Sequence, residues 1–440
     1  MKATSLLTGW TCRHLGDTAP GKPVTLPHDA MLAEPRTALS AGGTNTGWYE
    51  GYDYEYQRTL TVPENELADT HILEFEGVYH NAEVWLNGQK AAFRPYGYTN
   101  FYVDCAPYLH AGENELRVIA RNADQPNSRW YSGAGIYRPV QLWTARGAYI
   151  ALNGVKIRTL SLQPAVVEVR VKTTAPGTVR LMVDDLPAVQ QESDGEAVFT
   201  LTLDNACLWT PETPNLYTCR VNFAYDVVTE TFGVRKVEWG TDGFLLNGKR
   251  YIIQGACIHH DNGLLGAVCD PDAVARKVRL LKANGYNAIR SAHNPCSKAL
   301  LTECDRQGML VMDEYIDHWY IHKTEHDYVD YFNDWWHQDL TDMVEKDCNH
   351  PCVVLYSTGN EVSETAQKRG IALTKEMTDF LHGLDDSRPV TCGVNIFFNF
   401  LSSIGFGVYS DEKAKKEAER AEKAKQRGEK TSKKKAVGSQ

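Results

Sequence analysis

The stretch Val353-Val354-Leu355-Tyr356-Ser357-Thr358-Gly359-Asn360-Glu361 decides how this chain is read. A short, nearly continuous apolar run ends abruptly in a polar triplet. An uninterrupted apolar strand is what a parallel sheet buried on both faces requires. A carboxylate at the C-terminal tip of such a strand sits where barrel enzymes place their chemistry. The same letters also fit a buried strand that leads into a helix, with Glu361 answering the helix dipole. The neighbouring segments separate the two readings.

From about Trp239 onward, strand and helix alternate. Ile252-Ile253-Gln254-Gly255-Ala256 reads as a strand, followed by a helix from Asp272 to Ala283. Ala288-Ile289-Arg290 is a second strand, with a helix from Ser297 to Arg306. Met309-Leu310-Val311-Met312 is a third, with a helix from Phe332 to Asp347. Val353 to Tyr356 is the fourth, with a helix from Thr365 to His382, and Val390-Thr391-Cys392-Gly393 makes a fifth. Unbroken alternation is the signature of a parallel α/β unit. Eight such units would close a barrel, so five predict a partial (β/α)8 TIM barrel over 236–440. A Lys/Glu-rich insert at 411–435 interrupts it.

The residues before it read as all-β. Over 1–146, alternating runs such as His71-Ile72-Leu73-Glu74-Phe75 and Glu83-Val84-Trp85-Leu86 are separated by turn signals. The second run ends in Asn87-Gly88, the strongest short hairpin signal. A jelly-roll sandwich follows. Residues 147–235 repeat the style on a smaller scale, the size of an immunoglobulin-like β-sandwich. The expected architecture is therefore multidomain.

Composition narrows the partners. The 440 residues carry a net charge of -10. Residues 411–440 hold 11 Lys+Arg against 6 Asp+Glu, which leaves a body of 35 against 50. An acidic body argues against nucleic acid. No apolar run is long enough to span a bilayer and no signal peptide is evident, so no membrane partner is expected. The 11 scattered cysteines suit free thiols in a reducing compartment, and a cytoplasmic location is expected.

The strand ends bring chemistry to one mouth. They are His259-His260-Asp261, Ser291-Ala292-His293-Asn294-Pro295, Asp313-Glu314-Tyr315-Ile316-Asp317-His318-Trp319 and Asn360-Glu361. Carboxylates and amides bind sugar hydroxyls, and an indole face covers the apolar side of a ring. His259, His260, Asp261 and His293 could instead ligate a metal, but adjacent residues on a strand point apart. Cys348-Asn349-His350-Pro351-Cys352 reads as a helix end, a turn and a strand start. No metal and no cofactor is expected, and neither a phosphate loop nor a serine elbow is present.

At this point the chain resembles glycoside hydrolase family 2, the family of β-galactosidase and β-glucuronidase. Trp130-Tyr131-Ser132-Gly133-Ala134-Gly135-Ile136-Tyr137-Arg138-Pro139-Val140 resembles the signature that closes the family's first domain. Asn287-Ala288-Ile289-Arg290-Ser291-Ala292-His293-Asn294-Pro295 resembles its barrel signature. Asn349-His350-Pro351, then Ser357-Thr358-Gly359-Asn360-Glu361, resembles the acid/base segment. The resemblance implies a retaining hydrolase of terminal β-linked sugars, with β-galactoside expected first and β-glucuronide second. Glu361 would be the general acid/base and Asn360 would bind the sugar 2-hydroxyl. His293, Asp261, His259 and Trp319 would contact the sugar, and Arg290 would orient the nucleophile. A retaining pair of carboxylates stands about 5–5.5 Å apart.

The second carboxylate is not evident. In the family it follows a late barrel strand, and this sequence ends after about the fifth. Glu364 is a sequence neighbour of Glu361 rather than an opposed group, and Glu412, Glu417, Glu419 and Glu422 fall in the charged insert. The expectation is a truncated β-glycosidase that is inactive alone, with a homo-oligomer or a complementing C-terminal polypeptide as its protein partner. The rival expectation is a carbohydrate-binding fragment without catalysis. Limited proteolysis checks the domain scheme. Cuts should fall near 236–245 and within 411–435 while both β domains survive. Loss of the β domains first would overturn it.

Overall fold

The computed structural model describes residues 1–404 and Glu419. The charged insert, apart from Glu419, lies outside the described residues. No helix among the described residues is long and apolar enough to cross a membrane.

Two antiparallel sheets form the first sandwich. One has six strands, in the order Lys22–Val24, Trp10–His14, Tyr54–Val62, Gly112–Ala120, Ala82–Leu86, Gln89–Arg94. The other has four, in the order Lys2–Ser5, Val140–Ala145, Thr70–Phe75, Phe101–Asp104. The Asn87-Gly88 signal does mark a hairpin, joining Ala82–Leu86 to Gln89–Arg94. Both turn residues have positive φ, 49° and 77°, as a turn matched to strand twist demands. The second sandwich pairs a sheet of three strands with a sheet of four and has its own core, built on Val167, Val169, Leu181 and Val221. Inward residues alternate with exposed ones along Ala165–Thr173.

Five parallel strands follow: Gly255–Ile258, Ala288–Ser291, Leu310–Glu314, Val353–Ser357 and Val390–Thr391. They lie side by side in sequence order. Helices α1 (Pro271–Ala283), α2 (Lys298–Gln307), α3 (Val329–Asp347) and α4 (Lys368–Leu384) alternate with them, and α5 (Ile396–Ser403) comes last. Asp270 and Ser297 cap α1 and α2 by accepting from Ala273 and Leu300 N–H. The first barrel strand departs from expectation. It runs Gly255–Ile258, not Ile252–Ala256, because the ladder with Ala288–Ser291 starts at Gly255. Ile252 is 70% exposed. At the other edge Ile396 is 79% exposed. Thus the described residues form an open sheet, five strands of an eight-strand barrel.

The first sandwich is locked into the barrel. Its Tyr79, Tyr96, Tyr98 and Tyr137 belong to the barrel's apolar cluster rather than to the sandwich's own. Buried Arg138 donates to the carbonyls of Tyr98 at 2.8 Å and Pro295 at 2.9 Å. Buried Arg94 donates to Asp339 of α3 at 2.7 Å, and the hydroxyls of Tyr315 and Tyr328 share that carboxylate. The second sandwich grips the opposite end of the barrel. Asn349 accepts from Ile157 N–H at 2.8 Å and donates to Val155 O at 2.8 Å, and Arg235 donates to Val353 O at 2.8 Å.

One buried acid makes this seam sensitive to pH. Glu76, 5% exposed, has its carboxyl pushed up to about 7 by burial, which the nearby Lys298 charge only partly offsets. A raised carboxyl binds its proton more tightly in the folded chain, so stability should fall as pH rises from the unfolded value near 4.5 through 7, then level off. The effect is of the order of 3 kcal/mol at most. Urea midpoints at pH 5 and pH 8 should therefore differ, and Glu76→Gln should remove that part of the difference. An unchanged difference in the variant would refute the assignment.

Candidate active site

Glu361 stands just beyond the strand Val353–Ser357. It is not a helix N-terminal residue, since α4 begins only at Lys368. It has a positive φ of 45°, uncommon for a residue with a side chain. That side chain is 48% exposed and accepts from Arg129 Nη1 at 2.9 Å. Arg129 belongs to the first sandwich, immediately before Trp130.

Beside it, buried Asn360 is held at every polar atom. Its N–H donates to Ile316 O at 2.9 Å. Its Oδ1 accepts from Arg290 at 3.0 Å, and its Nδ2 donates to Asp317 at 2.8 Å. Its backbone carbonyl accepts from Lys323 Nζ at 2.7 Å. Asp317 also accepts two bonds from Arg129, through Nε at 2.7 Å and through Nη2. Burial pushes the Asp317 carboxyl up, but the Arg129 hydrogen bonds and the charges of Lys323 and His318 outweigh it and hold the group well below the usual range.

Under these loops lies Glu314, 0% exposed. It accepts from Arg290 Nε at 3.0 Å and Nη2 at 2.6 Å, and from Ser357 Oγ at 2.6 Å. Its other oxygen meets His293 Nδ1 at 2.5 Å. That bond fixes the His293 ring, which meets Trp130 edge-on at 5.1 Å and His259 at 5.7 Å. Trp130 also meets His259 at 5.0 Å. Burial, then the His293 charge, pulls the His259 imidazole down, so it is a neutral hydrogen-bonding group at neutral pH. The His260 ring turns the other way, toward Ser132 O at 3.2 Å and Tyr98. Burial drives it down to about 3.

Contacts thus join Glu361, Asn360, Arg290, His293 and His259 in one constellation. Asp261 is half-buried next to it, its carbonyl bound by Lys277 at 2.6 Å. Trp319 is not brought to the mouth. It is fully buried, and its indole N–H donates to Thr358 O at 2.9 Å. The loop turns it inward because Glu364 collects the N–H groups of Trp319 and Ile321, each at 3.2 Å. Half-buried Trp130 offers the mouth its indole instead. Arg129 and Lys323 escaped the sequence reading, and Glu314 and Asp317 were placed at the mouth with their strand end but given no role of their own. The one available signal was Arg129 beside an indole in a motif outside the barrel.

At the far end of the strands, Asp305, His350 and Cys352 place ligand-type atoms within 4.8 Å of one another. Each already has a protein partner. Asp305 takes His350 Nδ1 at 2.5 Å and Cys352 N–H at 2.9 Å, and the Cys352 thiol donates to Leu301 O at 3.5 Å.

Comparison with known proteins gives one consistent picture. The model of the "Glycosyl hydrolases family 2, sugar binding domain" matches residues 45–146. "Glycosyl hydrolases family 2" matches 152–235, and "Glycosyl hydrolases family 2, TIM barrel domain" matches 237–438. Beta-galactosidase BoGH2A of Bacteroides ovatus is 36% identical, over 87% of this chain and 53% of its own length. A putative beta-glucuronidase of Formosa agariphila is 32% identical, over 84% of this chain and 37% of its own. A crystal structure of a glycosyl hydrolase family 2 member from Bacteroides cellulosilyticus matches with TM-score 0.84 and 32% identity, covering 91% of this chain and 57% of that one. A beta-glycosidase from Bacteroides vulgatus matches with TM-score 0.82 and 31% identity, covering 89% and 54%. The chain spans about half the length of the curated relatives it matches.

The Glu314 cluster yields a stability test. Arg290→Met removes the cation facing a buried carboxylate and should cost about 3 kcal/mol, the lower end for breaking a buried pair, because His293 and Ser357 remain. Adding Glu314→Gln should recover part of that loss in urea unfolding. A cost near zero for Arg290→Met would show that Arg290 does not balance Glu314.

Proposed function

The chain belongs to glycoside hydrolase family 2, and on that premise we propose that it carries the acid/base half of a retaining β-glycosidase site for terminal β-linked sugars. One observation carries the reading. Glu361 and Asn360 stand together at the end of a buried parallel strand, linked through Arg290 and Glu314 to the imidazole of His293. Asn360 would bind the sugar 2-hydroxyl, while His293, His259 and Asp261 would contact the ring. Trp130 replaces Trp319 as the aromatic wall. β-Galactoside is the first substrate proposed, in line with the relative of 36% identity, and β-glucuronide the second.

Retention needs a second carboxylate opposite Glu361. Among the described residues Glu314, Asp317 and Glu364 are already engaged, and Asp261, whose backbone carbonyl alone is bonded, is read above as a sugar contact. Glu314 and Asp317 are held as above, and Glu364 accepts from Trp319, Ile321 and Ser363 N–H. The nucleophile would therefore come from strand–helix units added at the open edge of the sheet. Either the same polypeptide or a complementing one could supply them, and a second copy could also cover the edge. The 11 free thiols suit a reducing, cytoplasmic setting.

Hydrolysis of a matched pair of activated and unactivated β-galactosides tests this reading. The 440-residue chain alone should give no multiple turnover. In a polypeptide of the relatives' length, activity should appear, and Glu361→Gln should cut it by about 10²–10⁴-fold for the poor leaving group. An activated leaving group needs less protonation and should suffer less. Turnover by the short chain that is lost with Glu361→Gln would defeat the claim that the second carboxylate lies elsewhere.

A further inference from the structure

Glu361 is held in place by an unusual device. Its only side-chain partner among the described residues is Arg129, which comes from a different domain, 232 positions away. The guanidinium grips its two carboxylates unequally. Toward Asp317 it presents two N–H groups, and that carboxylate is buried and further tied to Asn360 and Lys323. Toward Glu361 it presents one N–H, at the exposed end of the cluster. A forked, buried pair is far firmer than a single exposed contact. If one contact opens, it is the contact to Glu361.

The reaction requires such an opening. A carboxylate engaged by a guanidinium is an acceptor. It can take a proton from an attacking water, but it has none to donate. Donation to a leaving group requires a protonated carboxyl freed from that cation. The two halves of a retaining cycle ask the same residue for both behaviours. Asp317 keeps Arg129 anchored throughout, so the moving part is the Glu361 side chain.

We propose that Arg129 is the positioning residue of the acid/base. It orients the Glu361 carboxylate as an acceptor through one contact, and release of that contact, with the Arg129–Asp317 pair left intact, frees the Glu361 side chain to reach the leaving group as the acid. This rests on the reading of Glu361 as the acid/base. It also explains why the first sandwich reaches into the barrel mouth at Arg129 and Trp130.

The test needs no turnover. The 440-residue chain and its Arg129→Gln and Arg129→Lys variants are treated with a water-soluble carbodiimide and an amine. Labelling of Glu361, Glu364 and Asp327 is followed by peptide mass spectrometry. Carbodiimides attack protonated carboxyl groups, so the ion pair protects. Glu361 labelling should rise about two- to fivefold in Arg129→Gln, the span expected for a partly exposed pair, and return part of the way in Arg129→Lys. The buried Glu364 and Asp327 should not change. No rise at Glu361, or an equal rise at all three, would overturn the proposal, since the second pattern marks a loosened loop. A second arm measures binding of the permanently cationic β-galactosyl trimethylammonium ion against neutral methyl β-galactoside. Arg129→Gln should favour the cation by a similar factor, and Glu361→Gln should erase the preference. Equal changes for both ligands would count against the proposal. If neither sugar binds any form while the labelling behaves as expected, Arg129 holds Glu361 and the sugar-site reading is what fails.

Discussion

A single buried carboxylate, Glu314, organises the mouth of this barrel. It ends the third parallel strand with no access to water, where an unpaired charge could not persist. Its partners come from the strands on either side: Arg290 from the second, His293 just past the second, and Ser357 from the fourth. Three strand ends are therefore lashed at one point. Arg290 then passes the constraint to Asn360, and Asn360 passes it to Asp317. This chain of bonds fixes the loop that carries Glu361, while Arg129 holds its side chain.

The β domains complete the site rather than decorate it. The first sandwich lends the barrel a cluster of tyrosines, two buried arginines and the Arg129-Trp130 pair. The second sandwich holds the opposite end through Asn349 and Arg235. The Asn349-His350-Pro351 turn thus has a structural task. Asn349 bonds a strand of the neighbouring domain, and His350 closes on Asp305.

Much of this fold was legible because hydrophobic period and turn chemistry are local signals. The alternation from Ala288 onward located four of the five strands within a residue or two. The first strand slipped because Ile252-Ile253 is apolar without joining the ladder, and hydrogen bonding, not apolarity, sets where a ladder starts. Helix α5 was missed because the run Ile396-Phe397-Phe398-Asn399-Phe400 is rich in the aromatic residues that favour strands. In the site, His293, Arg290, Asn360 and Glu361 were legible from ordered motifs. Trp319 was misplaced because its residue type suggested a sugar platform, while its burial is set by Glu364, 45 positions later. Arg129 carried no signal beyond its place beside Trp130. Its meaning lies in a pairing with Asp317 across 188 positions, and no local pattern encodes such a contact.

The strand Val353–Ser357 is gripped at its base by one sandwich and, through the Asn360-Glu361 loop, at its tip by the other. This limits how such a chain can change over evolutionary time. Domains joined by flexible linkers can be exchanged between proteins as separate units. Here an exchanged first sandwich would have to bring an arginine that meets Asp317 and Glu361 and tyrosines that fit the barrel's apolar cluster, and an exchanged second sandwich a strand that accepts Asn349. Recombination at the domain borders should therefore leave mismatched seams, and inheritance should favour the three domains travelling together.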